Sequence, residues 1–293
     1  MIISQLIGGL GNQMFQYAAG RALAVKRHTP LKLDISGFRN YQLYHGFELT
    51  SAFELQCDIA ANADVQRMLG FRANRLARAV LQRFPGLHLG DKRFIREPHI
   101  HYWEEFNEAP VDCYLSGYWQ SERYFTPIAE VIRGDFSFSP ATDTANIACI
   151  RKIAEVPSVS LHVRRGDYVS NPEAARVHGT CNIEYYAKAI AYVAARERDI
   201  HLFIFSDDPD WAVDNLPLGS WPYTCVSHNT GKDSWRDMHL MSLCRHNITA
   251  NSSFSWWGAW LNRHPGKMVV APSRWFASRH DASDVVPVQW VCL

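Results

Sequence analysis

The N-terminal part of the chain alternates short apolar runs with one longer amphipathic segment. Residues 2–7 form an apolar run that predicts a strand, and residues 8–12 form a glycine-rich turn. Residues 13–26 carry apolar side chains at helical spacing, and residues 31–35 predict a second strand. This order predicts a βαβ unit with parallel strands. Residues 52–84 then predict helix, and residues 113–117 predict another strand.

The same rhythm returns in the second half of the chain. Apolar runs at 159–163, 200–205, 247–250 and 268–271 predict strands, and 183–196, 235–244 and 254–262 predict helices. A polar, alanine-rich segment at 140–150 leads into a helix that we expect to end near Ala154. We therefore predict an α/β fold with two Rossmann-like domains facing across a cleft, 1–153 and 154–293.

Composition narrows the class of protein. The chain has 293 residues, 47% of them hydrophobic and 20% charged, with a net charge of +1. This balance argues against a nucleic-acid-binding protein, which usually carries a basic excess. Seven scattered cysteines without a C-x-x-C pair argue for reduced thiols and against disulfides or a zinc site. Because no leader and no membrane-length apolar run is visible, we expect a cytoplasmic protein, at most peripheral at the inner membrane face.

The strongest local signal is the end of the strand at 159–163. His162, Arg164, Arg165 and Asp167 follow one another there, and His162 and Arg164 share a face of the strand. Adjacent guanidiniums at the carboxyl end of a buried strand need an anion, and a diphosphate matches their planar donors. The alternative is that the arginines pair with local carboxylates such as Asp167.

The glycine-rich turn carries a second, weaker signal. Gly11, Asn12 and Gln13 open the first predicted helix, where backbone N–H groups favour an anion or sugar hydroxyls. Asp34, at the end of the next strand, resembles the ribose-binding carboxylate of a dinucleotide fold, but Met14 stands where that fingerprint has its third glycine. A tight turn that needs positive φ at glycine is the alternative.

Two polar clusters in the second half could bind a nucleotide. Asn251, Ser252 and Ser253 precede a helix and could cradle phosphate or simply cap that helix. Asp237 could accept both edge donors of guanine, or could be a charge at a helix start. Asp207 and Asp208 suggest a divalent ion, but we favour a metal-free site because arginines already provide the positive charge.

Five motifs in this order resemble those of the α-1,2-fucosyltransferases, especially the short bacterial enzymes. Gly8 to Tyr17 is similar to their opening motif, and His162-Val-Arg-Arg-Gly-Asp167 to the H-x-R-R-x-D motif that they share with other fucosyltransferases. The other matching segments are 117–125, 205–209 and 251–258. The resemblance implies a GT-B fold and metal-free, inverting transfer of L-fucose from GDP-β-L-fucose to a galactose 2-hydroxyl. The implied acceptor is a galactose-terminated oligosaccharide or lipid-linked glycan, and no nucleic acid or cofactor is expected.

The resemblance also implies residue roles. Arg164 would grip the donor β-phosphate, His162 and Asp237 would flank guanosine, Ser252 and Ser253 would touch phosphates, and Asn12 would lie near the fucose. Our predicted catalytic residues are Arg164, Asn12 and, as the best candidate for a general base, Asp34. The predicted donor contacts are Gly11, Asn12, Gln13, His162, Arg164, Arg165, Asp167, Ser206, Asp207, Asp208, Asp237, Asn251, Ser252, Ser253 and Phe254.

Two other functions remain open at this point. The partial glycine fingerprint with Asp34 is compatible with a nicotinamide-dependent oxidoreductase, which leaves the paired arginines and the serine segment unexplained. Ten tryptophans are compatible with a non-catalytic glycan-binding protein, which would bind sugars without any nucleotide.

Overall fold

The computed structural model describes residues 1–40, 45–70, 93–166, 179–277 and 283–293. It divides the chain into two compact units, an N-terminal unit of Met1–Ser137 and a C-terminal unit of Phe138–Leu293. Asp167 and residues 71–84 of the helix predicted at 52–84 lie outside the described residues. In the described part of that prediction, helix ends at Ala52 and resumes over Asn62–Leu69, so the prediction of one continuous helix is wrong there. No helix of the described part combines the length and the apolar character needed to cross a membrane.

The N-terminal unit contains a four-stranded parallel sheet in the order β2-β1-β4-β3. Its strands are β1 Ile2–Gln5, β2 Leu31–Asp34, β3 Phe94–Arg96 and β4 Cys113–Ser116. Its helices are α1 Leu10–Lys26, α2 Leu49–Ala52, α3 Asn62–Leu69 and α4 Ala129–Asp135, with 3₁₀ turns at Ser36–Asn40, Glu104–Glu108, Glu122–Tyr124 and Thr126–Ile128. The predicted βαβ start is confirmed.

The C-terminal unit contains a six-stranded parallel sheet in the order β10-β9-β8-β5-β6-β7. Its strands are β5 Ser158–Val163, β6 His201–Ser206, β7 Tyr223–Val226, β8 His246–Ile248, β9 Val269–Ala271 and β10 Val291–Cys292. Its helices are α5 Thr144–Glu155, α6 Ile183–Ala194, α7 Pro209–Asn215, α8 Trp235–Leu243 and α9 Ser253–Leu261, with a 3₁₀ turn at Gly231–Asp233. The predicted α/β class with parallel sheets is confirmed.

Side chains of the central strand β6 alternate between two apolar clusters. Leu202 and Ile204 belong to a cluster with residues of α6, whereas Phe203 and Phe205 pack with residues of α5 and α8. Since successive side chains of a strand point to opposite faces, helices cover both faces of this sheet. This arrangement explains why its strands read as continuous apolar runs.

The boundary between the units lies earlier than the sequence suggested. We predicted it between residues 153 and 154, after a helix assigned to the first domain. In the structure that helix is α5, and its Cys149 and Ile153 are buried in the same cluster as Phe203 and Phe205 of β6. The boundary therefore falls between Ser137 and Phe138, because the apolar face of α5 covers the C-terminal sheet.

Candidate functional site

The order of the C-terminal sheet identifies where a ligand can enter it. From the centre, β5, β6 and β7 follow one another in one direction, and β8, β9 and β10 in the other. The order in which successive strands are added therefore reverses between β5 and β8. Ligands of open α/β sheets bind at such a topological switch point, beyond the carboxyl ends of the strands. Arg164 follows β5, and Ser252 follows β8. The two strongest predicted motifs thus flank the switch point.

Arg164 lies beside a carboxylate at the end of the neighbouring strand. Its Nη1 is 2.9 Å from Oδ2 of Asp207, which follows β6. The other oxygen of Asp207 accepts the backbone N–H of Arg165 at 2.8 Å. A Cβ at Gly166 would come within 2.7 Å of Asp207 Oδ2. The chain therefore needs glycine at 166 to keep Asp207 against Arg164.

Arg165 is held by the protein itself. Its Nε lies 3.2 Å from Oδ2 of Asp208, and its guanidinium carbon lies 3.6 Å above the ring of Trp211. Asp208 also caps α7 by accepting the Trp211 N–H, and Ser206 Oγ accepts the N–H of Asp208 at 3.0 Å. Asp207 and Asp208 thus serve as counter-charges of the arginines, and their contact with the donor stays a prediction. Pairing with local carboxylates, which we had considered through Asp167, occurs here through Asp207 and Asp208.

His162 is a buried, neutral imidazole beside Arg164. It is 6% exposed, and among the described residues its Nδ1 has no hydrogen-bond partner. Burial, together with the positive charge of Arg164, lowers the pKa of His162 to about 3. Its ring centroid is 5.9 Å from that of Phe254 in α9. An uncharged ring with an unused nitrogen at this edge can contact a ligand by a hydrogen bond.

The serine segment opens helix α9. Ser252 is the N-cap, and its hydroxyl accepts the Phe254 N–H at 3.3 Å, while Ser253 is half-buried in the first turn. Both readings of this segment, helix capping and an anion site, are compatible with that geometry. Asn251 differs, because it is 3% exposed and its amide donates to the carbonyls of Gly179 and Trp275 at 3.1 and 3.2 Å. Its side-chain amide therefore links two loops, and its contact with the donor stays a prediction.

Asp237 lies in the first turn of α8 with one strong partner. Asn229 Nδ2 donates to its Oδ1 at 2.8 Å. Burial raises the pKa of Asp237 to about 7 from its ordinary value of 3.8, although the Asn229 hydrogen bond acts in the opposite direction. Sequence reasoning identified Asp237 but missed Asn229, since nothing in the sequence links two residues on different elements.

The glycine turn of the N-terminal unit is filled by the protein's own groups. Gln13 is fully buried; its Nε2 donates to the carbonyls of Gly8 and Gly46 at 3.0 and 2.8 Å, and its Oε1 accepts the Glu48 N–H at 2.9 Å. The carboxylate of Glu48 accepts the backbone N–H of Leu10 at the start of α1, and burial raises the Glu48 pKa to about 7. The Glu48 carboxyl group therefore occupies this helix terminus, and the Gln13 side chain is hydrogen-bonded within the protein.

The remaining predicted residues of the N-terminal unit fall into two groups. Gly11 is buried in the first turn of α1, and the half-buried Asn12 accepts from Gln120 Nε2 at 2.8 Å. Asp34 is 3% exposed, and its oxygens accept from the Ser36 N–H at 2.9 Å and the Tyr114 hydroxyl at 2.6 Å. Each oxygen of Asp34 therefore already accepts one hydrogen bond away from solvent, and its role as general base stays a prediction.

The segment after β4 contains a strained turn that the sequence motif did not explain. Glu97 accepts the backbone N–H groups of Tyr118 and Trp119 at 2.6 and 2.9 Å, and burial raises its pKa. Trp119 has a φ of 56°, an outlier for a bulky side chain. A Cβ at Gly117 would collide with Glu97. The glycine is thus required by the half-buried Glu97 carboxylate that holds this turn.

Possible metal ligands are dispersed in the described part of the chain. No three His, Cys, Asp or Glu side chains there form a group that could hold a metal ion.

Comparison with known proteins gives consistent results. The family model described as Glycosyl transferase family 11 matches residues 99–293. An alpha-1,2-colitosyltransferase of Escherichia coli is 38% identical over 293 residues, covering 99% of this chain and 98% of the relative. The O-antigen biosynthesis glycosyltransferase WbnK of Escherichia coli is 33% identical over 316 residues, covering 99% of each chain.

One solved structure extends the likeness to the fold. The fucosyltransferase NodZ from Bradyrhizobium aligns with a TM-score of 0.53 at 15% identity, covering 88% of this chain and 91% of NodZ. An α-1,6-fucosyltransferase NodZ structure was also co-crystallised with GDP. At this identity the likeness concerns the fold alone, and it agrees with the parallel α/β sheets described above.

Proposed function

Since this chain belongs to glycosyl transferase family 11, we propose that it transfers L-fucose from GDP-β-L-fucose to the 2-hydroxyl of a terminal galactose. The bond between the sugar C1 and the β-phosphate oxygen breaks as the acceptor oxygen attacks C1 from the opposite face. The β-linked donor thus gives an α-1,2 product, GDP leaves, and the proton of the acceptor hydroxyl passes to water. GDP bound to NodZ supports this class of donor.

The placement of Arg164 and of the α9 N-terminus carries this proposal. They follow β5 and β8, which are neighbours at the switch point of the sheet. Negative charge grows on the departing diphosphate in the transition state, and preorganised positive groups stabilise it most at that stage. A guanidinium and a helix N-terminus are two of the groups that proteins use for this purpose.

We propose that the reaction needs no metal ion. Arg164 provides the positive charge that a divalent cation would otherwise bring to the diphosphate. Asp207 and Asp208, the carboxylates nearest to a metal-binding pattern, are occupied by Arg164 and Arg165. The arginines and these carboxylates therefore form one charge-balanced group.

The direct test is incubation with GDP-fucose and a panel of galactose-terminated glycans. Mass spectrometry should find a product heavier by one fucose, formed equally with and without EDTA, and linkage analysis should give an α-1,2 bond. Glycans ending in another sugar are the acceptor control. Absence of product with every galactose-terminated glycan would refute the proposed acceptor, and loss of activity in EDTA would refute the metal-free reaction.

A second donor sugar is favoured by one specific observation. The relative that is 38% identical is a colitosyltransferase, and colitose is L-fucose without its 3-hydroxyl. A site that hydrogen-bonds a substrate hydroxyl rejects the analogue lacking it by about 10⁴-fold, whereas an apolar site discriminates far less. The ratio of kcat/KM for GDP-fucose to that for GDP-colitose decides between the two donors, and a ratio below one would favour colitose.

A further inference from the structure

A buried chain of polar side chains leads to Asp237 in the C-terminal unit. The amides of Asn146 and Asn229 exchange two hydrogen bonds, with N···O distances of 2.8 and 3.0 Å. Asn229 Nδ2 also donates to Asp237 Oδ1 at 2.8 Å. Asn146 is 3% exposed and Asn229 is 9% exposed. Both protons of the Asn229 amide are therefore used, one toward each neighbour.

The far end of the chain is anchored at the start of α5. Asp143 caps this helix, and its Oδ1 accepts the Asn146 N–H at 2.8 Å. Asn146 Nδ2 also donates to the Asp143 carboxylate at 3.0 Å. The Asn146 amide is thus fixed with its oxygen toward Asn229, and this requires Asn229 to turn its own NH₂ toward Asp237. The orientation of one amide determines that of the next.

The chain ends at the edge of the sheet where the other candidate residues lie. Asn229 is in the segment after β7, and Asp237 is in the helix that follows. A buried polar chain costs desolvation free energy that apolar side chains of the same size would avoid. The hydrogen bonds of this chain fix the Asp237 carboxylate at one end and cap the start of α5 at the other.

We propose that Asn229, oriented by Asn146, is a positioning residue that presents the Asp237 carboxylate to the N1–H and 2-amino groups of a guanine base. This inference rests on the proposed use of a guanosine diphosphate donor. Guanine offers two parallel donors on one edge, which match the two oxygens of a carboxylate. Adenine lacks this pair, and hypoxanthine keeps N1–H but lacks the 2-amino group. Asn229 would therefore help to determine which nucleobase the protein binds.

The ionisation of Asp237 gives a measurable consequence. Burial raises its pKa to about 7, and the hydrogen bond from Asn229 lowers it. Removing that donor should raise the pKa of Asp237 further, so that the carboxylate is converted to the acid at neutral pH. The acid cannot accept hydrogen bonds from both guanine donors. The surrounding ionisable side chains are Cys149 on α5, Cys225 on β7, His228 after β7, and Arg236 and His239 on α8, with Asp143 at the chain's far end.

The test compares the binding of GDP, IDP and ADP by calorimetry between about pH 6 and pH 8. The wild-type protein should bind GDP about tenfold or more tightly than IDP, which corresponds to one hydrogen bond to a charged group. In Asn229→Ala the GDP-to-IDP ratio should fall toward one, and the pH midpoint of GDP binding should rise. With GDP-fucose as substrate, KM should rise while kcat changes little.

Two further variants separate positioning from folding. Asn229→Asp keeps the shape of the side chain but replaces the donor with a second negative charge beside Asp237. It should therefore raise the pH midpoint of GDP binding more than Asn229→Ala does. Asn215→Ala removes an exposed asparagine that donates to the Trp211 carbonyl. This control variant should leave the GDP-to-IDP affinity ratio and the pH midpoint of GDP binding unchanged. Equal weakening of GDP and IDP in Asn229→Ala, with an unmoved midpoint, would overturn the inference.

The outcome also distinguishes this inference from the proposed function. A wild-type protein that fails to prefer GDP over IDP overturns the inference, whatever sugar it transfers. A protein that prefers GDP in the expected way but transfers no fucose retains the inference and refutes the proposed function.

Discussion

Replacing Arg164 with alanine is expected to lower kcat by about 10²- to 10³-fold. The comparison is with the loss of one preorganised donor to a developing anion, which costs about 2.7–4 kcal/mol. At about 1.36 kcal/mol for each tenfold change in rate, this gives the stated range. The effect should lie in kcat, because the charge that Arg164 stabilises is largest in the transition state.

The resting structure predicts a much smaller effect of Arg164→Ala on stability. Arg164 and Asp207 form an ion pair at 2.9 Å whose side chains are 26% and 24% exposed. Partly exposed pairs of this kind contribute about 1 kcal/mol or less. The free energy of unfolding, measured by urea titration, should therefore fall by no more than about 1 kcal/mol, so lost activity cannot be attributed to unfolding.

Arg165→Ala is the matched control because the two arginines are adjacent but held differently. Arg165 lies 3.6 Å above the Trp211 ring and 3.2 Å from Asp208. Losing this stack and ion pair should cost about 1–2 kcal/mol of stability while kcat stays near the wild-type value. Steady-state assays of GDP release measure both variants. A near-normal kcat for Arg164→Ala, or equal losses in the two variants, would refute the assignment.

Three further substitutions test other parts of the structure. Burial raises the pKa of Glu48 from 4.5 to about 7. As the pH rises between these two values, the free energy of unfolding of the wild-type protein should therefore fall by on the order of 3 kcal/mol. Glu48→Gln should lose that slope in urea titrations at about pH 5 and pH 8, and parallel slopes would contradict the buried carboxylate. Gly166→Ala should lower kcat about tenfold because its Cβ displaces Asp207, and unchanged steady-state rates would contradict this. Tyr114→Phe should cost about 1–3 kcal/mol of stability by removing a hydrogen-bond partner of Asp34, and kcat should not change. A loss of kcat without a loss of stability would contradict this and would support Asp34 as the base.

Features set by short stretches of sequence could be predicted. The apolar run ending in His162, Arg164 and Arg165 is a strand, as its pattern indicated, and the strand order places its charged end at the switch point. The helix opened by Ser252 was predicted from a capping residue before an apolar segment. Local periodicity and strand ends are sufficient for such inferences because parallel strands present their carboxyl ends at one edge.

Features that depend on contacts between distant residues could not be predicted. Gln13 was expected to bind a ligand, but its amide is used by Gly8, Gly46 and Glu48. Asp34 was expected to be a base, and its hydrogen bond from the Tyr114 hydroxyl on another strand could not be read from its neighbours in the sequence. Nothing in the local sequence distinguishes a polar side chain that faces a ligand from one that supports the backbone.

Asp207 has a consequence for how the enzyme would recover after each reaction. Because its carboxylate lies 2.9 Å from Arg164, the diphosphate of the proposed donor would share this guanidinium with a counterion that stays in place. Binding would therefore gain less than it would at a guanidinium surrounded by water. The same competition for Arg164 would favour departure of the spent nucleotide, so moderated affinity and rapid product release would have a common origin in one acidic side chain.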